Sequence, residues 1–502
     1  MLNARSIQGI IVGAIVIFLG IWLGLSLVTN QIESIFQISV AVLLITCIFL
    51  GRKIWLLLIF FSSLNVVLIS GFGTTEIGQA LFLTFTTIIF LMRRLPLKVS
   101  FGELEWWILL LTLCVIQTFM RNPVGLNVFG AGSVGGKPYI LVALSIATAC
   151  VLGNLKVEPN HIKWAMRLTL LGALMGIPLT ILRGEIGAMD ESFDNSTNEG
   201  ATRIPGLNVA GNTLARWLVS YISPLRACFH PLWATVLLIS IAAAAGSGYR
   251  NAVSGVAITY MFGLYYRGGF QSLAASIVSG GMALMILALI NSNFPLPANI
   301  QRALSPFPGT WEKRYVQDAE NSTEWRVEMW KEALLTDKWI QNKVLGDGVG
   351  MTAEQLRANM SMRTSGKTAG GLLVQQENML INGSYHSGPV HTVRAVGYVG
   401  LSVLLMAMIR VAVYAHRQIM RCQGTEWWPV ALFFCIPIIA HPIFFVFVFG
   451  EFQSGVGGVV MGVAMVRLLE KNLPFPAYVR KLKMPYILSQ QPSGNPSESV
   501  RA

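Results

Sequence analysis

Apolar runs close to 20 residues long recur along this 502-residue chain, and a helix of about that length is what it takes to cross the hydrocarbon core of a bilayer. In lipid every backbone N–H and C=O must be paired inside the protein, so such runs fold as helices packed on one another. Only 12% of the residues are charged, about half the share found in a soluble domain. The spacing predicts about fourteen helices, near 7–28, 33–50, 54–70, 78–92, 105–120, 138–153, 162–182, 211–225, 228–246, 250–266, 270–290, 391–412, 427–446 and 452–468. The run at 211–225 carries Arg216 and is short, as is 78–92. The first run, IIVGAIVIFLGIWLGLSLV, is followed closely by others and reads as a retained span, not a cleaved signal. The expected fold class is all-α, a polytopic transmembrane helical protein of about 12–14 spans with a long, partly helical periplasmic loop between late spans.

The net charge of +13 is sorted by membrane side. With a cytoplasmic N-terminus, one set of connections holds Arg52, Lys53, Arg93, Arg94, Lys98, Lys156, Lys163, Arg226, Arg267, Arg417, Arg421, Arg480, Lys481 and Lys483. The opposite set is poor in Lys and Arg, and in 183–210 the acids outnumber the bases. This predicts both termini in the cytoplasm. No basic stripe interleaved with aromatics suggests nucleic acid. The six cysteines form no CxxC pair and read as buried free thiols.

The pattern divides the chain into N-terminal transmembrane helices (1–182), central helices with an outer loop (183–290), a large outer loop (291–390), C-terminal helices (391–468) and a polar tail (469–502). A connection as long as 291–390 must carry structure or function of its own. Within it, NSTEWRVEMWKEALL reads as an amphipathic helix capped by Asn321 or Ser322, with Trp330, Ala333 and Leu334 as its apolar stripe.

Titratable residues gather where this loop meets the next span, in HSGPVHTVRAVGYVG (386–400). His386 and His391 are five apart and share no helix face as an i, i+4 pair would. No Cys or carboxylate completes a metal set, so no metal or cofactor is expected. By spacing alone both histidines read as hydrogen-bonding groups at a helix mouth, ahead of a catalytic role. Arg203, Arg216, Arg250, Arg326 and Arg394 are expected on the outer side, where each guanidinium is fit to pair two donors with a phosphate. Taken singly, each reads better as a snorkelling or surface charge. Glu324, Glu328 and Glu332 form one row on the loop helix, a solvated face ahead of a cation site. The GDGVG turn at 346–350 lacks the lysine and βα context of a phosphate loop.

In motif order the chain resembles the bacterial O-antigen ligase and O-antigen polymerase superfamily, polytopic enzymes of lipid-linked glycans. The family's hallmark is a His followed by Asn, Ser or Gln, nine residues, then Gly-x-x-Gly; here it is His386-Ser387, nine residues, then Gly397-Tyr398-Val399-Gly400. STEWRVEMWKEAL followed by VLGDGVG is similar to the family's Arg–Trp helix and glycine turn. GSGYRNAVSGVAI resembles the segment where an arginine opens a span, and RIPGLNVAGNTLARWL the Arg, Gly, Asn entry to an earlier one. Tyr249 stands where the family has Ser, and Leu401 where Thr is common.

The resemblance implies a glycosyltransferase that moves a glycan from a polyprenyl (undecaprenyl) diphosphate to an acceptor hydroxyl of a glycan, lipid or protein. It would work at the outer face of the bacterial inner membrane, with inversion and without a metal. It makes His386 the base, since a neutral imidazole with a reference pKa of about 6.5 suits that task, and Arg250 and Arg326 the diphosphate clamp. Arg203, Asn212, Arg216, Tyr385, His391 and Arg394 are supporting candidates. Ligase, polymerase and protein O-oligosaccharyltransferase fit equally, and a transporter or flippase of lipid-linked saccharide is the alternative from another class.

Overall fold

In the computed structural model, which describes residues 46–69, 72–93, 101–125, 135–182, 204–296, 300–301, 304–305, 308–361 and 379–474, the apolar runs are helices. They are α1 (Trp55–Leu64), α2 (Thr74–Leu91), α3 (Glu103–Arg121), α4 (Lys137–Leu152), α5 (Pro159–Leu182), α6 (Pro205–Tyr221), α7 (Pro231–Gly246) and α8 (Arg250–Asn293). After the loop helices α9 (Lys313–Leu335) and α10 (Ala353–Ser361) come α11 (Gly388–Cys422), α12 (Trp428–Phe447) and α13 (Phe452–Asn472). One short antiparallel strand pair, Val67–Ile69 with Phe72–Gly73, leads into α2.

Among the described residues seven helices are long and apolar enough to cross a membrane: α2, α3, α5, α8, α11, α12 and α13. Thr46–Lys53 and α1, bent by 111°, make an eighth if taken as one span. This is fewer than the runs in the sequence, for physical reasons. The expected span at 54–70 ends at Asn65, whose left-handed φ of 49° stops α1 after ten residues. α4, α6 and α7 are 16, 17 and 16 residues long. The expected pair at 250–266 and 270–290 is one helix interrupted at Gly269. The run at 7–28 and most of 33–50 lie outside the described residues.

α11 packs against α3, α12 and α13, while α6 is enclosed by α5, α7, α8 and α12. The main core threads these helices through Trp55, Leu104, Leu152, Leu218, Leu404 and Leu432, all essentially inaccessible. Outward-facing Leu113, Leu238, Ile286 and Phe447 are exposed, as expected where lipid replaces water as the solvent. The fold is that of a multi-pass helical membrane protein.

Two ends of the bundle can be told apart. At one, Arg410 and Tyr414 of α11 bind Glu103, and Arg467 of α13 pairs with Glu105 at 2.7 Å and Glu470 at 2.8 Å, tying α11 and α13 to the start of α3. At the other, the segment between α8 and α11 forms a second, smaller core. Met329 and Ala333 of α9, Ile340, Leu380, Tyr385 and Val390 are buried together there. Trp330 and Leu334 pack on it, so the expected apolar stripe of α9 is the face that docks. The helix starts earlier than the pattern suggests: Glu312 is its N-cap, which leaves Asn321 and Ser322 inside it.

Candidate functional site

The site begins with a defect in a helix. α11 is continuous from Gly388 to Cys422 except at Gly397, where φ is 72° and ψ −178°, a region open essentially to glycine alone. The break strands backbone groups on both sides, and the loop 343–348 satisfies them. Tyr398 N–H donates to Lys343 O at 2.8 Å and Val399 N–H to Val344 O at 3.2 Å. On the N-terminal side of the break, above the cut, Arg394 O accepts from Asp347 N–H at 2.6 Å and Gly348 N–H at 3.3 Å. The approach leaves no room for side chains: a Cβ on Gly397 would lie 2.1 Å from Val344 O. Gly397 is thus both a close-packing position and the point where the helix is cut, the second role being one the Gly-x-x-Gly spacing did not disclose.

The loop is held from its other side as well. Asp347 accepts from Gln341 N–H (2.7 Å) and Asn342 N–H (2.9 Å) through its two carboxylate oxygens. Its carbonyl accepts from Asn122 Nδ2 at 2.9 Å. Gln117 donates to Leu345 O at 2.8 Å, Arg121 donates to Gly346 O, and Val349 N–H donates to Tyr139 Oη at 3.1 Å. The GDGVG turn, unremarkable as a phosphate loop, is therefore a clip between the ends of α3 and α4 and the cut in α11.

The segment of α11 above the cut carries the candidates. His386 has a left-handed φ of 49°, and Ser387 caps the helix with Pro389 in its first turn. The turn is seated on the α12–α13 connection. The His386 ring lies 5.6 Å from that of Phe449, and a Cβ on Gly388 would meet Phe445 O at 2.5 Å. His391 Nδ1 accepts from Phe452 N–H at 3.3 Å, which in a neutral ring assigns the proton to Nε2. His391 is thereby hydrogen-bonded to the start of α13. Arg394 is buried, its guanidinium lying against Gly383 and donating to Asn382 O at 3.4 Å. Tyr385 is wholly buried with its ring 6.3 Å from that of His391. Burial raises the Tyr385 pKa, with the Arg394 charge opposing, so the phenol stays a protonated donor.

α9 reaches this turn directly. Trp330 Nε1 donates to Tyr385 O at 2.7 Å, one residue before His386. Arg326 lies four residues before Trp330, on the same helix face, with its guanidinium 5.4 Å from the Trp325 ring. Of the glutamate row, Glu324 and Glu328 are exposed, and Glu332 accepts from Trp339 Nε1 at 2.8 Å with Lys338 3.9 Å away.

Arg250 and Asn212 belong to a second group, on α6 and α8. Arg250 opens α8, where Ser254 Oγ donates to its carbonyl at 3.3 Å. Asn212 packs on Gly255 one turn further down and donates to Asn208 O and Oδ1, both at 3.0 Å. Arg267 of α8 sits 4.7 Å over Trp428, the first residue of α12. α8 therefore starts at the end of the bundle where α12 stops, which is the end that holds Phe449 and His386. Arg216 differs from the outer-side expectation: it lies three turns into α6, donating to Thr213 Oγ1 at 2.8 Å and facing the Phe433 ring at 5.6 Å. Arg203 lies outside the described residues, next to Ile204, whose N–H donates to Ser247 O at 3.1 Å.

Two groups went unnoticed in the sequence. One is Asp347, hidden within a turn read only for its glycines. The other is Glu451, the N-cap of α13, one residue from Phe452 and two from Phe449. Burial raises its pKa. An acid opening an apolar run, in FGEFQSG, was the available signal for it. The fold and these contacts define a polytopic helical membrane protein with a polar cluster at one end of its bundle. No family model matches the chain, and no curated protein matches it.

Proposed function

We propose that the protein is a glycosyltransferase of the O-antigen ligase and polymerase type, acting on a polyprenyl-diphosphate-linked glycan at the outer face of the bacterial inner membrane. The observation that carries this reading is the Trp330–Tyr385 bond, which brings the arginine-bearing helix α9 to the residue beside His386. An apolar bundle around such a cluster suits a lipid-anchored donor, and a helix mouth at its end suits a sugar acceptor.

In this reading the acceptor hydroxyl oxygen attacks the anomeric carbon as His386 takes its proton. The bond from that carbon to the diphosphate oxygen breaks, and the diphosphate leaves with the electron pair. Arg326 and Arg250 offset the charge that builds on it. A single direct displacement inverts the anomeric centre. His391, held through Nδ1, and Tyr385 shape the turn, and Arg394 adds positive charge behind it.

The test is deletion in the host with analysis of surface glycans, then complementation. Full-length chains left unattached indicate a ligase, and single repeat units a polymerase. His386→Ala is expected to abolish transfer with normal protein levels, and Arg250→Ala or Arg326→Ala to weaken use of the lipid-linked donor. Transfer near wild type in His386→Ala overturns the base assignment. Because the cationic groups are guanidiniums, activity is expected to survive EDTA; a strict Mg²⁺ requirement overturns the arginine clamp.

A further inference from the structure

We infer that Asp347 is a positioning residue: by locking the 341–348 turn into the cut at Gly397, it sets the direction of the α11 segment that begins at His386. The inference rests on the transferase reading for its catalytic consequence, though not for its structural one.

Glycine 397 frees the nine residues 388–396 from the helical register of the span below, so nothing inside α11 fixes their orientation. What fixes them comes from outside the helix. Asp347 alone in the turn bonds in three directions. Its carboxylate gathers Gln341 and Asn342 N–H, its own N–H reaches Arg394 O above the cut, and its carbonyl takes Asn122 Nδ2 of α3. The first pair folds the turn so that the carbonyls of Lys343 and Val344 face Tyr398 and Val399. The second ties the upper segment to the turn, and the third ties the turn to a helix of the main bundle. A neutral amide at 347 offers one acceptor where the carboxylate offers two, and it turns an N–H₂ toward a backbone N–H. Other contacts on the segment, Trp330 to Tyr385 and Phe452 to His391, hold its far end. Arg394 also donates to Asn382 O, and Val390 and Val393 are buried in the second core. These contacts all lie on the N-terminal side of Gly397, whereas the 341–348 turn bonds to backbone on both sides of it.

The experiment compares the full-length protein in lipid nanodiscs with Asp347→Asn, and with Glu354→Gln on exposed α10 as a control. The first measurement is amide hydrogen exchange. Asp347→Asn should exchange at least tenfold faster across 388–399 while 403–420 stays as in wild type. Unchanged exchange in 388–399, or acceleration spread down the whole helix, overturns the inference whatever the protein's activity. The second is transfer of lipid-linked glycan extracted from the host. A positioning role lowers kcat tenfold or more with the donor KM within twofold and the melting temperature nearly unchanged. Normal kcat in Asp347→Asn, or parallel losses in kcat, donor KM and melting temperature, also overturns it. If the wild-type protein transfers no glycan, the transferase reading fails by itself, and the exchange result still decides whether Asp347 holds the segment.

Discussion

Gly269 in α8 and Gly397 in α11 interrupt long helices in nearly the same backbone conformation, φ near 70° with ψ near 180°, yet their surroundings are opposite. A Cβ at Gly269 would meet nothing within 4 Å, whereas one at Gly397 would strike the backbone of Val344 and Leu345. One is a bare change of course between two apolar stretches. The other is a socket, cut in one element and filled by another more than 40 residues earlier in sequence. The difference teaches that a positive-φ glycine marks a conformation and not a role, which is decided by what occupies the space around it.

The sharpest way to break the comparison is Gly397→Ala. It adds disallowed backbone strain to a direct clash with Val344 O, so a loss on the order of 3 kcal/mol and of glycan transfer is expected. Gly269→Ala carries the strain without the clash, and a loss of about 1–2 kcal/mol with transfer retained is expected. Thermal melting of both variants in the same detergent checks the order, and equal losses would erase the distinction drawn here. Trp330→Phe removes one hydrogen bond to Tyr385 O while keeping the ring, for about 1 kcal/mol. Its effect should appear as faster hydrogen exchange in 383–387 and not around Gly269.

The smallest expected effect lies under the His386 turn, at Glu451, whose pKa burial raises above the usual carboxylate range. A folded state that holds a proton more tightly than the unfolded chain is most stable below the unfolded value. It loses stability as pH rises through the folded one. Glu451→Gln keeps an acceptor for the first turn of α13 and removes that loss. Its melting temperature should therefore gain on wild type as pH rises from the unfolded carboxylate value of about 4.3 toward neutrality. No change in the gap over that range would show that the carboxyl is solvated.

Helix class and most helix positions were legible because they depend on runs of apolar residues, a local property. The His386 turn was legible as polarity at the mouth of a span, and His386 was separated from His391 only through the family spacing. What was not legible depends on distant partners. Nothing within GYVG says that residues 343–348 lie in its break, and nothing in GDGVG says that its acid organises them. Arg216 reads like the other arginines expected near a helix mouth until the length of α6 before it is known. The early start of α9 was missed because Lys313–Glu320 is too polar to show an apolar stripe.

The filled cut has a consequence for how the protein is made. A helix entering lipid with Tyr398 and Val399 N–H unsatisfied would carry a cost of several kcal/mol for each group. Their partners, Lys343 and Val344, precede α11 in the chain and emerge from the ribosome first. The acceptors are accordingly part of the chain before α11 is made, in a turn that bonds to α3 and α4. Loop and membrane helix are thus one hydrogen-bonding unit: the backbone of α11 is complete only with the 343–344 carbonyls in place.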